Sequence, residues 1–184
     1  MTVWDSVSTK GDPIYDDWNN AQNMYVSDDT YGTSSTKDDL EDLGGINFFT
    51  LVSPGLYEVI DYMRVLIEAH VNGFGPTTRA TISAALSWDD GTTWTNFYSA
   101  NWDGPTDVEQ EVIQPLVSDG TSFGRLWKAS EMSHLRVRIK LGKIDSGMTC
   151  YIDRVQVGKD SHMATDEGFP GGYTNDTEVV GIGL

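Results

Sequence analysis

The sequence predicts an all-β fold, an antiparallel β-sandwich with extended terminal arms. Three observations carry this: apolar residues recur at every second position in several segments, Gly, Asp, Asn and Ser punctuate them, and no convincing helix separates any two. At 184 residues the chain suits one domain with length left over for arms. Its aromatic content of 11% against 22% charged residues places it among folded rather than disordered chains.

The first 17 residues are polar and acidic without a sustained period, and read as an N-terminal arm or a lead-in strand. From Trp18, turn-forming residues surround the short apolar group Met24, Tyr25 and Val26, which predicts short strands broken by tight turns. Lys37 to Leu43 is acidic and could form one helical turn before Gly44 and Gly45. Ile46 to Val52 then reads as a buried strand.

Leu56 to Val71 has the length of a helix, but the period decides against one. Met63, Val65, Ile67, Ala69 and Val71 share one side of a two-residue repeat, and Tyr62, Arg64, Glu68 and His70 the other, with Leu66 against the pattern. In Thr81 to Trp88, Ile82, Ala84, Leu86 and Trp88 share a face. His134 to Leu141 shows the cleanest alternation, with Leu135, Val137, Ile139 and Leu141 set against His134, Arg136, Arg138 and Lys140. Thr149 to Val157 adds Cys150, Ile152, Val155 and Val157, whose phase slips near Asp153 as at a β-bulge. The sandwich is therefore expected over residues 18–158, and the Gly- and Asp-rich stretch 159–184 is expected to be a C-terminal arm, ordered only by a neighbour if at all.

The formal charge of −16 would repel phosphate backbones and anionic lipid, so neither nucleic acid nor a membrane surface is expected as a partner. The surplus of carboxylates keeps the surface solvated and leaves Ca²⁺ open as a ligand, although no cofactor is required. One cysteine, Cys150, allows no disulfide within the chain. The N-terminus shows no signal-peptide pattern, which predicts synthesis in the cytoplasm without secretory export.

The most specific local motif is Ser87-Trp88-Asp89-Asp90-Gly91-Thr92-Thr93-Trp94, which resembles the Asp box, S-x-D-x-G-x-T-W. Its chemistry is conformational: the Asp89 carboxylate accepts backbone N–H groups across a turn, Gly91 takes positive φ and Trp94 packs against the hairpin. Ser87, Asp89, Gly91, Thr93 and Trp94 are thus structural hairpin residues. The pairs Asp28–Asp29, Asp38–Asp39 and Asp89–Asp90 lack the spacing of a Ca²⁺ loop and read as turn formers. His70, His134 and His162 stand far apart in no zinc-binding arrangement, and there is no nucleophile elbow, P-loop or dinucleotide fingerprint. No catalytic, cofactor-binding or metal-binding residue is therefore assigned, and the chain reads as non-enzymatic. Tyr57, Tyr62, Trp94, Phe97, Tyr98, Trp102 and Trp127 are candidates for a sugar-stacking platform, a role that competes with core or interface anchoring.

Taken together, Trp18-Asn19-Asn20-Ala21, Tyr25 to Tyr31, Ile60 to Val71, Leu86 to Thr95, Leu135 to Ile139 and Tyr151 to Val157 resemble, in their order, a jelly-roll domain of bacteriophage virion proteins and prokaryotic surface proteins. The resemblance implies a jelly-roll sandwich and a structural, non-enzymatic subunit of a virion, as head decoration or tail component, or of a similar extracellular assembly. It implies symmetric association with copies of itself and with other proteins of the assembly. The alternative it leaves is a carbohydrate- or receptor-binding module with surface glycans as partners.

Overall fold

The computed structural model describes residues 2–10, 17–26, 28–46, 48, 56–72, 80–102, 110–114 and 123–165. Eleven strands build two antiparallel sheets: β1 (Thr2–Ser6), β2 (Thr9–Lys10), β3 (Gly32–Ser34), β4 (Leu40–Gly44), β5 (Leu56–Asn72), β6 (Ala80–Ser87), β7 (Tyr98–Trp102), β8 (Gln110–Gln114), β9 (Trp127–Lys128), β10 (Arg136–Ile144) and β11 (Thr149–Thr165). Two 3₁₀ turns, Ala21–Met24 and Ala129–His134, complete the described elements.

The first sheet has the order β1-β11-β5-β8, with β3 on the β11 edge and β9 on the β5 edge; the second has the order β2-β4-β10-β6-β7. With β2, β3 and β9 set aside as short additions, the remaining strands taken in chain order interleave between the sheets as 1-8-3-6 and 2-7-4-5. That order is two Greek keys wrapped as a jelly roll, so the fold class read from the sequence is the fold observed.

Its spine is the ladder between β5 and β11, each of 17 residues, running from Asn72 opposite Thr149 to Leu56 opposite Thr165. Two irregularities interrupt it, one between Ile152 and Arg154 and one between Asp160 and Ser161. The first leaves Asp153 as the extra residue, where the sequence phase slips. Between the sheets, Met63, Val65, Ile67, Ala69 and Val71 of β5 and Cys150, Ile152, Val155 and Val157 of β11 join one core with Ile82, Ala84 and Leu86 of β6 and Val137, Ile139 and Leu141 of β10. Each such large aliphatic side chain contributes about 1.5–3 kcal/mol on burial.

Some expectations are met and others corrected. The N-terminal segment, expected as an arm or a lead-in strand, contributes strands to both sheets, because β1 pairs with β11 and β2 with β4. Trp4 lies across Gly158, where a Cβ would stand 2.8 Å from the indole, so β1 seats on a position that only glycine leaves open. Lys37 to Leu43 makes no helical turn: Asp38 takes positive φ and donates its N–H to the carbonyl of Leu141, and the chain enters β4 at Leu40. Ile46 and Phe48 are buried as expected but lie outside any strand, and residues 47 and 49–52 are outside the described residues. The expected boundary at residue 158 falls inside β11, which continues to Thr165, since Ser161 to Thr165 find ladder partners on β5. Residues 166–184 are outside the described residues.

Candidate functional site

The Asp-box hairpin links β6 to β7. Asp89 Oδ1 accepts the backbone N–H of Thr93 at 2.7 Å and the hydroxyl of Ser87 at 2.9 Å, and Ser87 Oγ in turn accepts the N–H of Gly91 at 2.9 Å. Asp90 and Gly91 both take positive φ, and Trp94 Nε1 donates to the carbonyl of Gly91 at 2.9 Å. Partial burial works against the charged form of Asp89, but the hydrogen bonds from Thr93 and Ser87 outweigh it and hold its carboxyl below the ordinary value. The same device recurs in the other acidic pairs. Asp29 and Asp38 also take positive φ, which a short acidic side chain tolerates by bonding its own backbone.

The hairpin packs its outer side onto β10. Asp90 accepts from His134 at 2.8 Å, Trp94 lies 4.1 Å from the Arg138 guanidinium, and Phe97 lies 5.8 Å from Lys140 Nζ. The alternation along β10 explains this: Val137, Ile139 and Leu141 enter the core, so Arg136, Arg138 and Lys140 must stand on the outer face of the second sheet. Each meets a carboxylate from a different element. Arg136 approaches Asp90 at 4.0 Å, Arg138 engages Asp42 through both Nε and Nη2, the latter at 2.8 Å, and Lys140 reaches Asp38 at 2.7 Å. The hydrogen bond from Lys140 is the main cause that lowers the Asp38 carboxyl below its ordinary value.

Beneath these pairs the β6 side chains are small. Ser83, Ala85 and Ser87, on the face of β6 opposite Ile82, Ala84 and Leu86, are all buried, and Ser83 and Ser99 share a hydrogen bond of 2.7 Å. The outer face of the second sheet is thus crossed by fixed donor–acceptor pairs, with Trp94 and Phe97 beside Arg138 and Lys140, Phe97 being 39% exposed.

The other candidate aromatics do not converge on this face. Tyr57 and Tyr62 belong to β5 in the opposite sheet, and Tyr98 meets Phe123 edge-on at 5.2 Å. Trp127 is buried, with the Arg125 guanidinium 4.7 Å from it and 3.7 Å from Trp88, so its role is to anchor the segment before β10. Trp102 ends β7, and its side chain is outside the described residues. His134 closes a 3₁₀ turn rather than opening β10, and His70 stacks on Tyr151 at 4.6 Å on the outer face of the first sheet. His162 pairs with Asp61 at 2.9 Å. Sequence reasoning missed Asp42 and Arg138, and the outward phase of Arg138 on the clean β10 repeat was the signal available.

Among the described residues, no group of three or more His, Cys, Asp or Glu side chains is placed to hold a metal ion, and no helix is long and apolar enough to cross a membrane. No protein-family model matches the chain, and no curated protein matches it. Among solved structures, one described as "CBM4 structure and function" is similar over 89% of this chain and 94% of its own, with 9% sequence identity and a TM-score of 0.35.

Proposed function

We propose that the chain is a non-catalytic binding module whose ligand is a glycan, taken on the outer face of the second sheet. The observation that carries this is the placement of Trp94 against Arg138 and of Phe97 near Lys140, along the outer face of β10. Aromatic rings offer apolar faces to the C–H side of a sugar, while Lys140 and the exposed carboxylates of Asp38 and Asp90 offer donors and acceptors to neighbouring hydroxyls. The pairs also neutralise one another locally, which suits hydroxyl-rich ligands better than polyanions on a chain of charge −16.

A glycan array followed by calorimetric titration tests this reading. Binding is expected to weaken at least tenfold in Trp94→Ala and Phe97→Ala, with the fold unchanged by circular dichroism. A silent array refutes it. Silence accompanied by concentration-dependent self-association would instead favour a structural subunit of a virion or other extracellular assembly.

A further inference from the structure

Trp4 of β1 stands opposite Gly158 of β11, and on the far side of Gly158 stands Arg64 of β5. Gly158 follows Val157, which is buried in the core, so Gly158 and its two cross-strand neighbours belong to the outer face of the first sheet. The position that a Cβ would take on Gly158 lies 2.8, 2.8 and 3.0 Å from Cε3, Cζ3 and Cη2 of Trp4. Three consecutive ring atoms nearly equidistant from one point put that point over the face of the ring, since a point beyond its edge would lie much farther from the third atom. The indole therefore lies flat on the glycine backbone, with its opposite face turned away from the sheet. Trp4 is accordingly half-buried.

Polar groups border that ring. Arg64 reaches Asp160 through Nη2 at 2.8 Å and its side chain is 39% exposed; a guanidinium carries five N–H donors, more than this contact uses. Two residues along β1 on the same face, Ser6 Oγ accepts from Gln156 Nε2 at 3.0 Å, which leaves the Ser6 hydroxyl its own proton to donate and Gln156 its amide oxygen to accept.

We propose that the outward face of Trp4 is a stacking platform for a neutral sugar ring, held at its rim by Arg64 and by Ser6 with Gln156. A pyranose carries C–H groups on its faces and hydroxyls around its rim, which complements one apolar ring face bordered by donors and acceptors. Covering Gly158 uses only one side of the indole. A phosphate-bearing ligand is disfavoured by the formal charge of −16. A protein partner would need a wider apolar patch, and Val3, the exposed apolar neighbour on β1, points to the other side of the strand. The platform is on the sheet opposite Trp94 and Phe97, and it does not rest on those two residues binding a sugar.

The test titrates the whole chain with cello-, xylo-, manno- and galacto-oligosaccharides and follows its backbone amide and indole N–H signals by NMR. The Trp4 and Trp94 indole signals are identified by their absence in Trp4→Phe and Trp94→Phe. At least one sugar is expected to shift the Trp4 signal saturably, and Trp4→Ala to abolish the accompanying shifts of residues 2–6. Should Trp4→Ala release β1 from β11, Arg64→Gln keeps the ring in place and is expected to raise the Kd read from the Trp4 signal at least threefold. A Trp4 signal that no sugar moves would overturn the proposal, and shifts confined to Trp94 would overturn it while leaving the glycan reading of the second sheet intact. Shifts at Trp4 without any at Trp94 would support the platform and count against that other reading. Trp4 shifts that follow protein concentration rather than sugar would show a second copy covering the indole, and would overturn the platform, as would an unchanged Kd in Arg64→Gln.

Discussion

Glu58 and Lys159 form an ion pair inside the sandwich, and its removal offers a sharp test of the core. Lys159 Nζ donates to Glu58 Oε1 at 2.7 Å, with the side chains 4% and 2% exposed, and the Ser161 hydroxyl donates to the same oxygen. Phe48 lies 5.3 Å from the ammonium, and Glu58 Oε2 is buried without a hydrogen-bond partner. Two charges have thus been taken out of water, and one oxygen is left unanswered. Removing a single partner is expected to cost about 3–5 kcal/mol, because the remaining charge stays buried without its counter-ion. For a chain of this size that corresponds to a loss of about 6–20 °C in Tm. Replacing both with apolar residues of similar volume, Glu58→Leu with Lys159→Met, is expected to recover most of the loss or exceed wild-type stability, because the desolvation term disappears with the charges. Urea denaturation of wild type, both single variants and the double variant supplies the cycle, with an unchanged m-value as the check on two-state behaviour. Single variants costing under about 1 kcal/mol, or losses that simply add in the double variant, would refute the reasoning: the pair would then behave like a solvated surface bridge.

Three further outcomes are expected. Gly158→Ala places a Cβ 2.8 Å from the Trp4 ring, so the indole must move; the cost is expected at about 1–3 kcal/mol, with faster hydrogen exchange across residues 2–6. Asp89→Ala removes hydrogen bonds to Thr93 and Ser87, each worth about 1 kcal/mol. Because the Asp89 carboxyl is held below its ordinary value of 3.8, its stabilisation is complete above that value and is lost as pH falls through the lower folded one; the wild-type advantage over Asp89→Ala should therefore shrink in acid denaturation below about pH 4. Burial pushes the Cys150 thiol up to about 12, so a disulfide reagent at pH 8 should leave it unlabelled in the native state and label it only in denaturant.

Much of the sandwich was legible because a half-buried strand writes its geometry into alternate residues. The repeat of 135 to 141 located the core face of β10, and the slip at Asp153 located the bulge of β11. Residues 56 to 71 were resolved as a strand by the same arithmetic. Leu66, against that pattern, is nonetheless buried, at a position where β8 pairs with β5. Legibility failed where burial comes from elsewhere. Ser83, Ala85 and Ser87 look solvent-facing in sequence, yet the β10 side chains and the hairpin cover them. The start of the C-terminal arm was misplaced for a related reason: the end of β11 pairs with a strand distant in sequence, and hydrogen-bonding partners are not a property of local composition.

The candidate site divides in the same way. By itself the sequence determined the alternation, the turn chemistry of the Asp box and the outward phase of Arg136, Arg138 and Lys140, because these depend only on neighbouring residues and backbone stereochemistry. Only the tertiary structure decided that Asp42 meets Arg138, that Trp94 lies against Arg138 and Phe97 near Lys140 while Trp127 is buried elsewhere, and that Asp153 lies buried beside Asp28. Those outcomes depend on sheet order and ladder register, which bring together residues as distant in sequence as Thr2 and Asp160. Contacts across such spans are fixed by the burial of the whole core rather than by any local preference.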